Sequence, residues 1–364
     1  MPRCLFVSQR VATGVSGARV GSDRNLFFCQ DAFGKENTTL YKIQKGRISH
    51  LARKLLQFFG YVDGMLPRDV KAIVEEARSG KYDLVFFDSS YFGLAVKAVA
   101  KKAPGQKIVV FYHDIIVDWW RSTKNGPAYR QLFWSLVYRR VERLSTVFAN
   151  ERIFLTERDR ETLRKEYGAE GGPIIPVTLV DRFDEGRRTR AAAVRKAEDR
   201  ILLFVGVDYK PNTDGIAWFL ANVLPYIKSR VKIVGLDLEN YRSTWTSPRV
   251  EVVGTVDDVD EYYYGADAVV IPLFSGGGMK IKTAESLMFG KTVFGTPEGF
   301  VGYELPFGRV GAVCGTAEDF IAAIRAWESD ASATNYNEAS RAAFLQGYSY
   351  EVSLAKARKI FGVS

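Results

Sequence analysis

Between Ala266 and Pro297 the chain reads ADAVVIPLFSGGGMKIKTAESLMFGKTVFGTP. The apolar run Ala268–Leu273 predicts a buried strand, Ser275–Gly278 a glycine loop, Lys280–Phe289 a helix stopped by Gly290, and Thr292–Thr296 a second strand. Strand, loop, helix and strand in that order make one unit of a parallel α/β sheet. The loop lies at the carboxyl end of a strand, where open sheets of this kind bind ligands.

Gly276, Gly277 and Gly278 carry no side chains to keep a ligand from the backbone, and the following helix aims its unpaired N–H groups and positive dipole end at the same space. An anion is expected there. Lys280 and Lys282 add full charge on the first turn, which suits a diphosphate better than a lone carboxylate. Glu285 lies five residues beyond Lys280, roughly 7 to 8 Å along the axis at ~1.5 Å per residue. A carboxylate at that distance could accept hydrogen bonds from a ribose diol while the diphosphate sits on the helix end. The plainer alternative is a surface turn followed by a solvated glutamate.

The segment resembles the donor-nucleotide site of retaining glycosyltransferases of the GT-B fold, family 4. The resemblance is carried by Pro272, Leu273, Gly276 to Gly278, Lys280, Glu285, Leu287, Gly290, Lys291 and Val293. It implies an α/β protein of two Rossmann-like domains facing a central cleft, with Glu285 holding the nucleotide ribose and Met279 beside the glycine loop. Where the wider family often has a second glutamate eight residues before the first, this chain has Gly277.

With 364 residues, 47% of them hydrophobic, the chain is long enough for two α/β cores. No run reaches the roughly 18 to 20 apolar residues of a membrane span, and the start, MPRCLFVSQR, does not read as a signal peptide, so a cytoplasmic protein is expected. Three scattered cysteines and two histidines point to neither a disulfide framework nor a metal centre. Residues 1–200 carry an excess of 13 positive charges and residues 201–364 an excess of 4 negative ones. A basic first half implies an anionic partner, whether nucleic acid, membrane or phosphorylated acceptor, or else simply keeps the protein soluble.

That half alternates strands and helices. A strand at Arg3–Ser8 precedes a loop holding Gly14, Gly17 and Gly21, then a helix near Ser22–Gln30. The glycine spacing is not the dinucleotide fingerprint, but by resemblance Gly14 and Gly17 would face the cleft. Ile48, Leu51, Leu55, Phe58, Phe59 and Val62 fall at helical spacing opposite Arg47, His50, Arg53, Lys54 and Gln57, and Tyr129–Arg143 is likewise basic and aromatic. Such stripes either pack on a core or lie on anionic lipid, and both readings stay open. Strands at Asp83–Asp88 and Lys107–Tyr112 follow, the second ending in His113-Asp114, a pair placed for chemistry or for gripping a sugar hydroxyl, or else a structural pair. Trp119, Trp120 and Arg121 could stack on a sugar ring. Thr156 reads as an N-cap.

The charged, Ala-rich stretch 181–199 reads as a linker, which sets residues 1–180 as a first domain and 200–348 as the nucleotide-sugar domain, with a C-terminal helix over about 349–364 crossing back onto the first. The second domain opens with a strand over Arg200–Gly206 and the loop VDYKPN, in which Gly206 and Lys210 are candidate donor contacts. Two other patterns mislead. Asp258-Val259-Asp260 spells a metal motif but opens a helix, where acids cap N–H groups, and Gly290-Lys291-Thr292 imitates a phosphate loop yet follows a helix rather than preceding one. After Thr296, Glu298, Gly299 and Gly302 are candidate lining residues.

The resemblance implies transfer of a sugar from a nucleotide-diphosphate sugar to a glycan or lipid-linked acceptor, with retention, in surface polysaccharide or glycoconjugate synthesis. Catalytic roles would fall to His113, Asp114, Lys280 and Glu285. No metal, cofactor or nucleic acid is expected, and a peripheral contact with the anionic inner face of the plasma membrane is one of the two open readings of the basic stripes. The rival readings are a noncatalytic GT-B module that binds a glycan or a partner enzyme, and a sugar-nucleotide epimerase.

Overall fold

The computed structural model describes residues 1–9, 17–44, 48–122, 127–193 and 200–363. The chain divides into two compact units, Met1–Pro176 with Ser353–Ser364, and Val177–Val352.

The first unit runs β1 (Cys4–Ser8), α1 (Gly17–Phe33), β2 (Thr38–Lys42), α2 (His50–Phe58), α3 (Pro67–Arg78), β3 (Leu84–Phe87), α4 (Gly93–Lys102), β4 (Lys107–Tyr112), α5 (Ile116–Ser122), α6 (Ala128–Phe148), β5 (Glu151–Phe154) and α7 (Glu157–Tyr167). Its five strands pair in parallel in the order β2-β1-β3-β4-β5. Leu5, Val7, Val85, Phe87, Val110 and Tyr112 point to one face, against Ile73 and Val99 of the helices. On the other face Phe6, Phe86 and Phe111 form a ring stack, closed by Phe361 at 5.9 Å from Phe86. Burial on both faces is why these strands read as continuous apolar runs. β2 escapes the sequence reading because TTLYK is a half-exposed edge strand with no such run.

The second unit runs α8 (Glu185–Ala193), β6 (Ile201–Val205), α9 (Lys210–Asn222), β7 (Arg230–Val234), β8 (Val250–Gly254), α10 (Asp260–Gly265), β9 (Ala268–Ile271), α11 (Ile281–Met288), β10 (Thr292–Gly295), β11 (Gly311–Val313), α12 (Ala317–Ser329), α13 (Glu338–Ala343) and α14 (Tyr350–Phe361), the last of which passes into the first unit at Ser353. The sheet order is β11-β10-β9-β6-β7-β8, again parallel. After β8 the chain returns to the opposite side of β6, so the switch point lies between β6 and β9. The segment read as a linker supplies α8 to the second unit, and the passage between units falls at Pro176–Val177. The end of α14 is tied within the first unit by Lys107 Nζ donating to the Ile360 carbonyl at 2.5 Å and by Arg358 donating to that of Asp31 at 2.8 Å.

Candidate functional site

In the second unit the loops after β6 and β9 flank the switch point. They are brought together by a glycine on α9: a Cβ on Gly215 would stand 2.1 Å from the Pro272 carbonyl oxygen. Gly276 and Gly278 adopt φ of 139° and 57°, which other residues take up with strain. The loop then enters α11 one residue later than expected, with Lys280 as its N-cap.

The three charged side chains assigned to this loop and helix end in different places. Lys280 Nζ donates to the carbonyls of Gly277 (3.3 Å) and Gly278 (2.8 Å) and to Glu298 Oε1 (2.8 Å), so it closes the glycine loop from inside. Lys282 Nζ donates to Asn212 Oδ1 at 2.9 Å and sits 4.4 Å from the Phe204 ring centroid. Burial, aided by Lys280 and opposed by Glu285, pushes its pKa down to about 7. Glu285 Oε1 accepts from Arg182 at 3.3 Å and Oε2 from the Tyr263 hydroxyl at 3.1 Å. Burial raises its pKa despite the opposing effects of Arg182 and Tyr263. Among the remaining candidates, Gly206 donates its N–H to Val234, its carbonyl oxygen lying where a Cβ on Gly235 would clash. Met279 is buried with its sulfur accepting the Val177 N–H at 3.2 Å. Lys210, expected at the diphosphate, turns outward to Asp214 at 2.8 Å.

Arg182, Tyr263 and Asn212 belong to this cluster without having been singled out in the sequence. Arg182 lies within the apparent linker, and Tyr263 is one of three successive tyrosines. Neither has a local pattern to mark it. The two aspartates of the Asp-x-Asp pattern are both engaged by arginines. Asp260 accepts three bonds from Arg182 at 3.0–3.3 Å, and Asp258 binds Arg187 at 2.6 Å while its other oxygen accepts the Asp260 N–H at 2.9 Å. Val259 holds the cap position, and of the two acids it is Asp258 that accepts an N–H of the first turn, as expected, while Asp260 turns to Arg182. Lys291 of the imitation phosphate loop is buried, donating to the carbonyls of Ala266 and Asn335.

In the first unit a second cluster forms at the ends of β1, β3 and β4. His113 meets the carboxylate of Asp88, a residue that the sequence reading did not pair with it. His113 Nε2 lies 3.0 Å from the Asp88 carbonyl oxygen and 3.3 Å from Oδ1. Asp88 also accepts from Ser8 Oγ and Asn25 Nδ2, each at 2.8 Å. Burial would raise its pKa, but the hydrogen bonds and charge of His113, with Asn25, hold it below the ordinary value. Gly21 backs the imidazole, a Cβ there meeting His113 Cε1 at 3.3 Å. Asp114 is half-buried in the following bend, Gly17 opens α1, and Gly14 lies outside the described residues. Trp120 is not a free platform, since it stacks on Trp134 and Tyr138 at 6.1 and 5.5 Å. Beside it, Glu142 of α6 is fully buried, accepting from Ser90 Oγ (2.9 Å), the Tyr167 hydroxyl (2.9 Å) and the Ile116 N–H (3.1 Å) that begins α5.

Residues 199–330 match the family described as Glycosyl transferases group 1. No curated protein matches the sequence. Among solved structures, sucrose-phosphate synthase from Thermosynechococcus elongatus superposes over 100% of this chain and 98% of its own, at 15% identity and a TM-score of 0.73. HepE of Anabaena in complex with UDP covers 99% of both chains at 14% identity and TM-score 0.72, and the lipopolysaccharide outer core galactosyltransferase WaaB covers 99% of both at 13% and 0.65. Identities this low speak to the fold alone, and the fold they share is GT-B. The chain thus has that fold over its whole length, and the part of its second unit over residues 199–330 matches glycosyl transferases group 1.

Proposed function

We propose that this protein is a metal-independent, family 4 hexosyltransferase that moves a sugar from a nucleotide-diphosphate sugar to a glycan or lipid-linked acceptor with retention, in the synthesis of surface polysaccharide or another glycoconjugate. The observation that carries the reading is the Gly276–Gly278 loop leading into α11 at the switch point, with Glu285 on the second turn. The N-terminus of α11, with Lys280 and Lys282, would stabilise the departing diphosphate electrostatically. Glu285 would take the ribose hydroxyls. HepE binds UDP and UDP-glucose in its solved complexes, which makes a UDP-sugar the first donor to try.

Metal independence rests on the donor set, since Asp258 and Asp260 are already committed to Arg187 and Arg182. Activity is expected to persist in excess EDTA. Loss restored by manganese or magnesium would overturn that part. No further cofactor is proposed, and nucleic acid is not among the proposed partners. For a lipid-linked acceptor the enzyme would work from the cytoplasm at the inner face of the plasma membrane. Among the described residues no helix is long and apolar enough to cross a membrane, so that contact would be peripheral.

The test is calorimetry with UDP, GDP, ADP and CMP. Glu285→Ala and Lys280→Ala are each expected to weaken the preferred nucleotide at least tenfold, about 1.4 kcal/mol. Unchanged affinity in both variants would remove the site.

A further inference from the structure

α2 and α6 share one face of the first unit. Ser49 caps α2 by accepting the Ala52 N–H at 3.2 Å, and the helix ends beside α6, where Phe58 stacks on Phe133 at 6.1 Å between ring centroids. No residue of α2 is buried. Its apolar positions form a single stripe at i, i+4 and i+7 that faces water rather than a core: Leu51 is 79% exposed, Leu55 59% and Phe58 53%. α6 repeats the arrangement. Its inner stripe, Val137 and Val141, packs with Val62, while Tyr129 (77%), Leu132 (61%) and Leu136 (56%) stand outward at i, i+3 and i+7.

Large apolar side chains gathered on one surface mark a contact, because leaving them in water forfeits roughly 25 cal/mol per Å². What surrounds them narrows the partner. Arg53 and Lys54 flank the α2 stripe, and α2 holds no acidic residue. Down α6 the outward stripe continues as Arg140 and Arg143, which with Leu136 and Val147 line a shallow groove of about 560 Å³. Arg139 beside them already leans on Glu166 at 3.7 Å. A second copy of the chain would set these cations against their like, whereas anionic headgroups complement them and acyl chains take the leucines.

We propose that the α2–α6 face is a bilayer-docking surface: Leu51, Leu55, Phe58, Leu132 and Leu136 enter the headgroup–acyl boundary of an anionic membrane, and Arg53, Lys54, Arg140 and Arg143 bind its phosphates. The proposal deepens the membrane contact of the preceding reading and rests on it. It is measured without donor or acceptor, so its failure is distinguishable from failure of the transfer reading.

The experiment is co-sedimentation of the full chain with vesicles of phosphatidylcholine alone or mixed with phosphatidylglycerol. The protein is expected to pellet with the mixed vesicles and not with the neutral ones. Binding should weaken between 0.1 and 1 M salt, as the Debye length falls from ~10 to ~3 Å. Leu51→Ser with Leu55→Ser is expected to abolish pelleting, and Arg53→Gln, Lys54→Gln, Arg140→Gln and Arg143→Gln together to weaken it at least tenfold. Both variants should keep the parent's melting temperature and nucleotide affinity, as neither touches the core or the second-unit site. Equal binding to both vesicles, binding to neither, or pelleting unaffected by the leucine variant would overturn the proposal. So would a dimer in sedimentation velocity that the leucine variant turns into monomer, which would give the face to a second copy.

Discussion

Each unit holds a carboxylate on the side of its sheet where the strands end, Asp88 buried after β3 and Glu285 half-buried on α11, and the two have opposite characters. Asp88 accepts from Ser8, Asn25 and His113, and its pKa lies below the ordinary value. Glu285 accepts from Tyr263 and from an Arg182 that is shared with Asp260, and its pKa lies above. Burial pushes both upward, so the difference comes from how many good donors each one meets. A carboxylate has about four acceptor positions. Asp88 has filled most of them, and its role is to hold β1, β3, α1 and the end of β4 together. Glu285 has filled about half, which leaves it able to accept from a ligand.

That contrast predicts its own largest failure. Asp88→Ala removes a buried acceptor shared by three donors and should destabilise the first unit by about 3–5 kcal/mol, read as a lower melting temperature. A loss of activity with an unchanged melt would instead make Asp88 a reacting group.

Glu142 offers a second buried acid for comparison. Burial pushes its pKa up to about 7, against the opposing bonds from Ile116, Tyr167, Ser90 and Val117. Between its unfolded pKa, near 4.5, and about 7 the folded chain holds a proton that the unfolded chain has lost. Stability from this group therefore falls as pH rises through that window, by about 3 kcal/mol in all. Glu142→Gln should flatten the slope and leave the protein more stable at pH 8 than the parent. Denaturant melts at pH 5 and pH 8 check this, and a parent with equal stability at both would refute it.

Gly215 tests how the second-unit site is assembled. A Cβ at 2.1 Å from the Pro272 oxygen forces α9 away from the loop after β9, so Gly215→Ala should lower stability by about 1–3 kcal/mol and weaken nucleotide binding with it. Intact binding in a destabilised variant would mean that the loops after β6 and β9 act separately.

The smallest effect is expected at Lys282. With its pKa pushed down to about 7, its charge is lost as pH rises through that value. Affinity for UDP should fall on the order of tenfold from pH 6 to pH 8, equivalent to about 1.4 kcal/mol. Lys282→Met should remove the part of that slope that does not belong to UDP itself. Identical slopes in parent and variant would show that Lys282 does not face the diphosphate.

The β-loop-α-β unit at 266–297, the parallel class of both sheets and the glycine loop were legible because each is written in neighbouring residues: apolar runs of strand length, a glycine stop, charges on a first helical turn. β2 was not, since an edge strand carries no continuous run. Lys280, Lys282 and Lys210 look alike in sequence, yet one closes a loop, one lies against Phe204 and Asn212 and one is in solvent. His113 meets Asp88, which is 25 residues away. Arg182 reaches Glu285 across 103 positions. Whether the stripe on α2 faced a core or water was likewise undecided by its spacing. Periodicity and backbone conformation are local properties and the chain declares them directly. Burial, and with it the partner and the protonation of each charged group, depends on which strands the sheet order sets side by side, and that only the tertiary structure decides.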